Sequence, residues 1–281
     1  MFGRLFTGTI LSLALAGATL AEPRPTASSP AASASATPAA LSPSVLAQAI
    51  KTDEVTTPTP GETFAALGKP TKPDWTAAFR GPIAMNYKTR AQIALNLGGL
   101  IADGFIAIEA QDSQQVKNTG GDILKMAKAL GVSENILARG NSINQFAEND
   151  EWPALQEELE ATQNEVKTSM QTHRDQDLVI LVSLGGWIRG AQVVSNVVAK
   201  NYDEHLAQVL RQPELLRFIH SKLTQISPDL QNDPLVRTVD TQLQAIEKII
   251  ATPFGKSLAP ADVIRLQTAV NQLMQVIQKK D

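Results

Sequence analysis

The segment LGGLIADG at residues 97–104 and the segment LGGWIRG at residues 184–190 decide the fold of this chain. Each lies inside a long apolar run with helical periodicity, where every interior glycine costs about 1 kcal/mol relative to alanine. Close approach of two helix backbones compensates for this cost, because glycine has no Cβ atom to keep them apart. We therefore predict a central pair of helices in contact through these segments, with Asp103 and Arg189 at nearly equivalent positions.

Helix start and stop signals follow one another along the rest of the chain. We predict helices at residues 87–111, 122–130, 133–147, 150–174, 176–200, 203–211, 213–226, 234–251 and 261–279. Strand-like alternation of useful length does not compete with this pattern. The predicted fold class is all-α: a multi-helix bundle with two central glycine-bearing helices and a C-terminal helical hairpin.

The two helices of that hairpin carry apolar residues at matching helical positions. These are Val236, Val239, Leu243, Ile246 and Ile250 in the first helix, and Val263, Leu266, Val270, Leu273 and Ile277 in the second. We expect both stripes to be buried.

The N-terminus has the three-part layout of a secretory signal peptide. Arg4 precedes an apolar run that ends at Ala18, and small residues follow up to Ala21. The run is shorter than the ~20 residues that a membrane-spanning helix needs. We predict a signal peptide at residues 1–21, cleaved after Ala21 or, alternatively, after Ala18.

The composition changes after the predicted cleavage site. Residues 22–60 are rich in Pro, Ala, Ser and Thr, and such a segment buries too little apolar surface to offset the entropy of ordering. We predict a disordered tether there, followed by a helical-bundle domain at residues 61–281. With 43% hydrophobic residues, the chain is able to fill one substantial core.

The absence of cysteine and the charge balance exclude several classes of function. A chain with no cysteine has no disulfide, no thiolate metal site, no cysteine nucleophile and no lipid-bearing N-terminal cysteine. A formal net charge of -3 gives no electrostatic support to non-specific nucleic-acid binding. Export without disulfides is typical of a bacterial periplasmic or extracellular protein, and this is the predicted localisation.

Polar residues recur at helical spacing on both central helices. The first helix carries Gln92, Asn96 and Asp103, and the second carries Arg189, Gln192, Asn196 and Lys200. If the two lines face each other, Asp103 and Arg189 form an ion pair, because an unpaired buried charge is too costly.

This polar seam has two interpretations, which the sequence leaves open. It is either a structural seam or the border of a polar pocket in which Arg189 anchors an anionic group of a small ligand. Trp187 is either a stacking platform for that ligand or a large core residue. The candidate binding residues are Asp103, Arg189, Asn96, Gln192, Asn196 and Trp187.

Motifs for catalysis are missing from the sequence. There is no Gly-x-Ser-x-Gly elbow, no His-Glu-x-x-His and no P-loop. Asp203, Glu204 and His205 are interpreted as a helix start rather than a metal site. Gly120 and Gly121 resemble a helix entry whose exposed N–H groups bind an anion in principle. We predict no catalytic residues, no metal and no cofactor.

Together these observations favour an exported soluble protein that acts by non-enzymatic binding or scaffolding in the bacterial cell envelope. The expected partner is another envelope protein or a small ligand, and after cleavage no segment is expected to span the membrane. The alternative is an enzyme or a small-ligand-binding protein that uses the polar seam between the central helices.

Overall fold

Helices, and no strand, make up the regular structure of the described part of the chain. The computed structural model describes residues 61, 64, 73–132, 138–172, 175–253 and 255–280. The predicted signal peptide and tether, at residues 1–21 and 22–60, lie outside these residues. The fold class is all-α, as predicted.

Ten α-helices are described, preceded by a single turn of 3₁₀ helix at Thr76–Ala78. They are α1 Arg90–Glu109, α2 Ser113–Ala129, α3 Gly140–Glu148, α4 Trp152–Thr172, α5 Gln176–Lys200, α6 Glu204–Val209, α7 Pro213–Leu223, α8 Pro228–Gln231, α9 Pro234–Ile250 and α10 Pro260–Gln278. Helix α5 has the predicted bounds, and most other described helices begin or end a few residues from the predicted positions.

Helix α2 corrects the sequence prediction. Its N-cap is Asp112, whose carboxylate accepts a hydrogen bond from the backbone N–H of Gln115 at 2.8 Å, so the helix begins well before the predicted start at Asp122. Gly120 and Gly121 therefore lie inside a continuous helix, and their predicted role as a helix entry that binds an anion is wrong. Burial of the apolar stripe on this helix outweighs the low helix propensity of the two glycines.

Helices α1 and α5 are the central pair, and they run in the same direction. Arg90 at the start of α1 pairs with Asp175 just before α5 at 2.8 Å. Asp103 and Arg189 pair at 2.7 Å further along both helices. The predicted ion pair is thus present.

Glycine lets the two backbones touch. A Cβ atom on Gly98 would overlap the carbonyl oxygen of Val182 and lie 2.6 Å from the backbone nitrogen of Gly186. A Cβ atom on Gly185 would overlap the carbonyl oxygen of Leu95. The contact is reciprocal, since each helix presents a glycine to a carbonyl of the other, an arrangement that favours weak Cα–H···O contacts. The predicted close contact through both Leu-Gly-Gly segments is confirmed.

The C-terminal hairpin of α9 and α10 is also confirmed, and all ten residues of its predicted apolar stripes are buried. Helix α10 packs against α5 and α1 as well as against α9. This second packing places α10 along the central pair, where it meets the polar residues of both helices.

Two of the described helices, α1 and α5, are long and apolar enough to cross a membrane. In α1, 94% of the apolar window is buried within the bundle, and in α5 the share is 72%. A core helix of a soluble domain passes the same test of length and hydropathy, so these helices are weak evidence for a membrane span.

Candidate functional site

The loop that precedes α1 closes over the central pair. We call residues 73–89 the strap. Trp75 anchors it in the core at 8% exposure. The carbonyl oxygen of Ala78 accepts a hydrogen bond from Nη2 of Arg189 at 2.5 Å, and Nε of Arg80 donates to Oδ2 of Asp103 at 2.6 Å. The strap therefore brings a second arginine to the predicted ion pair.

Asp103 is the centre of this cluster. Its Oδ1 accepts from Nε of Arg189 at 2.7 Å, while its Oδ2 accepts from Arg80. Asp103 and Arg189 are 8% and 3% exposed, so both charges are buried. Two guanidinium groups share one carboxylate, and the described cluster carries one surplus positive charge.

The environment of the second arginine, Arg80, disfavours its charge. Burial lowers the pKa of its guanidinium, the charge of Arg189 lowers it further, and Asp103 opposes both effects. Nη2 of Arg80 lies 2.5 Å from Oδ2 of Asp103 as an ion pair, but neither of the two buried terminal nitrogens, Nη1 and Nη2, has a hydrogen-bond partner among the described residues. Gly99 makes room for this side chain, because a Cβ atom there would lie 3.2 Å from Nη2 of Arg80.

On α5, the polar line faces α10. Nη1 of Arg189 donates to Oε1 of Gln192 at 2.7 Å, and Nε2 of Gln192 donates to Oδ1 of Asn271 at 2.7 Å. One turn further along α5, Oδ1 of Asn196 accepts from Nε2 of Gln267 at 2.9 Å. These amides join α5 to α10.

The polar line of α1 meets the end of α10. The side-chain amides of Gln92 and Asn96 both donate to the carbonyl oxygen of Ile277 at 3.0 Å, and Gln92 also donates to that of Lys279 at 2.8 Å. The last carbonyls of a helix have no partner within the helix, so these amides act as a C-terminal cap supplied by another helix.

The two predicted polar lines thus meet each other at Asp103 and Arg189, while their amide residues bind α10. The physical reason is the close contact at Gly98 and Gly185, where backbone fills the space that facing side chains would need. We call the set of Arg80, Asp103, Arg189 and the amides of α1, α5 and α10 the seam.

Three members of the seam were not predicted from the sequence. Arg80 lies in a loop, where helical periodicity gives no signal. Gln267 and Asn271 are four residues apart on α10, and this spacing places them on one helix face. The spacing of these two amides in the sequence is a signal that one face of α10 packs against polar residues, in addition to its apolar face.

Trp187 lies apart from the other candidate binding residues. Trp187 precedes Arg189 by two residues. Because each residue turns an α-helix by about 100°, the two side chains lie about 200° apart, on opposite faces of α5. Its indole N–H donates to Oε1 of Gln212 at 3.0 Å. The half-buried ring forms one wall of a pocket of about 30 Å³ whose other walls come from α5, α6, α9, α10 and the segment after α6. We call this the Trp187 pocket.

The acidic residues near the start of α6 are used in local structure. Asp203 caps the helix by accepting from the backbone N–H of Leu206 at 3.0 Å, and Glu204 accepts from the hydroxyl of Ser257 at 3.0 Å. Among the described residues, no group of three or more His, Cys, Asp or Glu side chains is placed to hold a metal ion.

Comparison of the chain with protein-family models, with curated proteins and with solved structures found no match.

Proposed function

We propose that this protein is exported to the bacterial cell envelope and acts there by non-enzymatic binding or scaffolding. The observation that carries the proposal is the commitment of the seam to structure. Both carboxylate oxygens of Asp103 accept hydrogen bonds from buried guanidinium groups. Both oxygens of this carboxylate are thus engaged in holding the strap and α5 together, rather than being presented to a substrate.

The amides of the seam support the same proposal. Gln92, Asn96, Gln192 and Asn196 each bond to a group on α10, so they fasten the central pair to the hairpin. A rigid bundle that presents helix surfaces is suited to hold a partner.

Native mass spectrometry of the protein purified from its natural host tests the binding proposal. The expected result is a stoichiometric protein partner, a defined oligomer or a stoichiometric bound small molecule. A bare monomer over the whole accessible concentration range would contradict the proposal.

The intact mass of the same preparation tests export separately. A chain that begins at Glu22 supports cleavage after Ala21, and one that begins at Thr19 supports cleavage after Ala18. A chain that still begins at Met1 would overturn the export part of the proposal and leave the binding part standing.

A second candidate function is recognition of a small anion at the seam, and the surplus charge of the cluster favours it. A buried charge without a counter-charge is costly, and an anionic group beside Arg80 would neutralise it. A ligand that binds the folded state alone at 100 times its dissociation constant stabilises that state by about 2.7 kcal/mol.

Thermal unfolding in acetate and in phosphate, compared with chloride at the same ionic strength, tests this candidate. Specific stabilisation that disappears in Arg80→Gln would support an anion site at the seam. Equal melting temperatures in all three salts would exclude it.

A further inference from the structure

The Trp187 pocket contains a glycine that the fold does not explain. Gly190 is buried inside α5, yet a Cβ atom on it would meet no atom of the described residues within 4 Å. Among the described residues, positive φ values occur at Gly131 and Gly255 but not at Gly190, so its backbone does not require glycine either. Alanine is the better helix former. The missing side chain of Gly190 has one visible consequence, which is that the pocket stays open.

The walls of the pocket are fixed before anything enters. Trp187 donates to Oε1 of Gln212 at 3.0 Å, and Nε2 of Gln212 donates to the carbonyl oxygen of Val209 at 3.0 Å. These bonds hold the indole ring in place and engage the polar groups at the edge. Fixed walls reduce the entropy lost on binding.

The rest of the lining is mainly aliphatic. It includes Val194, Leu210, Ile250 and Leu266. A group buried against these side chains must be apolar, because a buried polar group needs a hydrogen-bond partner.

The size of the pocket limits what enters it. On the same measure one water molecule needs about 10–15 Å³, and an engineered cavity that encloses benzene has about 150 Å³. A pocket of about 30 Å³ therefore has room for two or three groups about the size of a water molecule, such as the methyl groups of a branched aliphatic end, and excludes a whole aromatic ring.

We infer that the Trp187 pocket binds the branched aliphatic end of a ligand, an isopropyl or isobutyl group. The inference deepens the proposed binding function and rests on it. The same chemistry is found in free leucine and in a leucine side chain within a peptide, so the experiment must separate these two sources.

The test follows the indole N–H signal of Trp187 by NMR in the full chain during titration. The chain has three tryptophans, and Trp187→Phe assigns the signal by its disappearance. The probes are leucine, N-acetyl-leucine N-methylamide and, as the control without an isobutyl group, N-acetyl-glycine N-methylamide. We expect saturable shifts with the leucine-type probes, at least about tenfold tighter than with the glycine probe, since burial of a leucine side chain is worth that factor.

The two leucine probes identify the source of the group. Tighter binding of free leucine points to a small molecule, and tighter binding of the blocked leucine points to a peptide. Shifts that are equal for the leucine and glycine probes, or absent with all three, would overturn the inference.

Variants locate the binding. In Gly190→Leu the new side chain occupies the pocket, so the shifts should disappear while the protein stays folded. The matched control is Gly121→Leu in α2, where a Cβ atom also meets nothing within 4 Å in the described part of the chain, and it should bind as the unaltered chain does. If Gly190→Leu does not fold, Gly190→Ala should still weaken binding severalfold. Unchanged binding in either folded Gly190 variant would overturn the inference.

Failure here is distinct from failure of the proposed function. A partner found by native mass spectrometry, with no probe binding at Trp187, removes the pocket inference and keeps the binding proposal.

Discussion

The two faces of α5 use glycine in opposite ways. On the face toward α1, the backbone of Leu95 occupies the space that a side chain on residue 185 would need, so that only glycine fits there. On the opposite side, Gly190 is buried but opens onto the Trp187 pocket. Glycine has the same low helix propensity at both positions. At Gly185 it allows two helix backbones to touch, whereas at Gly190 it leaves space for a pocket. Substitutions of the two glycines test this difference directly, and two substitutions in the ion cluster beside the contact face give the scale against which to compare them.

The largest effect is expected at the ion pair beside the contact face. Asp103→Ala leaves Arg80 and Arg189 buried without their carboxylate and should lower the free energy of unfolding by about 4 kcal/mol. Urea unfolding measures it. The control is Asp175→Ala, which breaks an arginine pair whose Arg90 side chain is 53% exposed and should cost less than about 1 kcal/mol. Equal losses in the two variants would contradict the buried cluster.

The second largest effect is expected at the backbone contact between α1 and α5. Gly185→Ala places a methyl group against the carbonyl of Leu95 and forces the central helices apart, so we expect a net loss of about 2–3 kcal/mol despite the better helix propensity of alanine. Urea unfolding again provides the measurement. A gain in stability would show that the two backbones do not touch at this point.

Arg80→Gln should have a smaller effect. It removes the surplus charge and the buried Nη1, and it leaves Asp103 and Arg189 as a balanced pair. We expect a loss of about 1 kcal/mol, the net value of one hydrogen bond, in chemical denaturation. A loss as large as that of Asp103→Ala would mean that the strap, rather than the ion pair, holds the seam together.

The smallest effect is expected at the open face, and its sign is reversed. Gly190→Ala should stabilise the protein by up to about 1 kcal/mol, because alanine is the better helix former and its methyl group meets no neighbour among the described side chains and backbone. For a domain of this size that gain raises the melting temperature by about 2–4 °C, which calorimetry measures. A lower melting temperature than that of the unaltered chain would contradict an open pocket beside Gly190.

Much of this architecture could be predicted from local signals. Helical periodicity predicted the bounds of α5 and the buried stripes of the terminal hairpin, and the cost of glycine in a helix predicted the central contact. The start of α2 was predicted wrongly, because Gly120 and Gly121 were given more weight than the apolar stripe that spans them. Local propensity is weak compared with the burial of a helix face.

The candidate site was predicted less completely. The ion pair of Asp103 and Arg189 was expected only if the two polar lines face each other, and the structure contains it. The two charges and their positions after matching glycines were visible in the sequence. Arg80 was missed because the path of a loop is determined by what it packs against. Trp187 was grouped with Arg189, although two residues along a helix place side chains on opposite faces.

By itself, the sequence determined that the chain forms helices, where most of them lie, and that two of them must approach through glycine. These properties depend on local periodicity and on the volume of single residues. The tertiary structure alone decided that Arg80 reaches Asp103, that α10 binds the amides of both central helices, and that Gly190 opens onto a pocket. Such features depend on which elements become neighbours, and the free energy that selects them comes from packing between residues far apart in the chain.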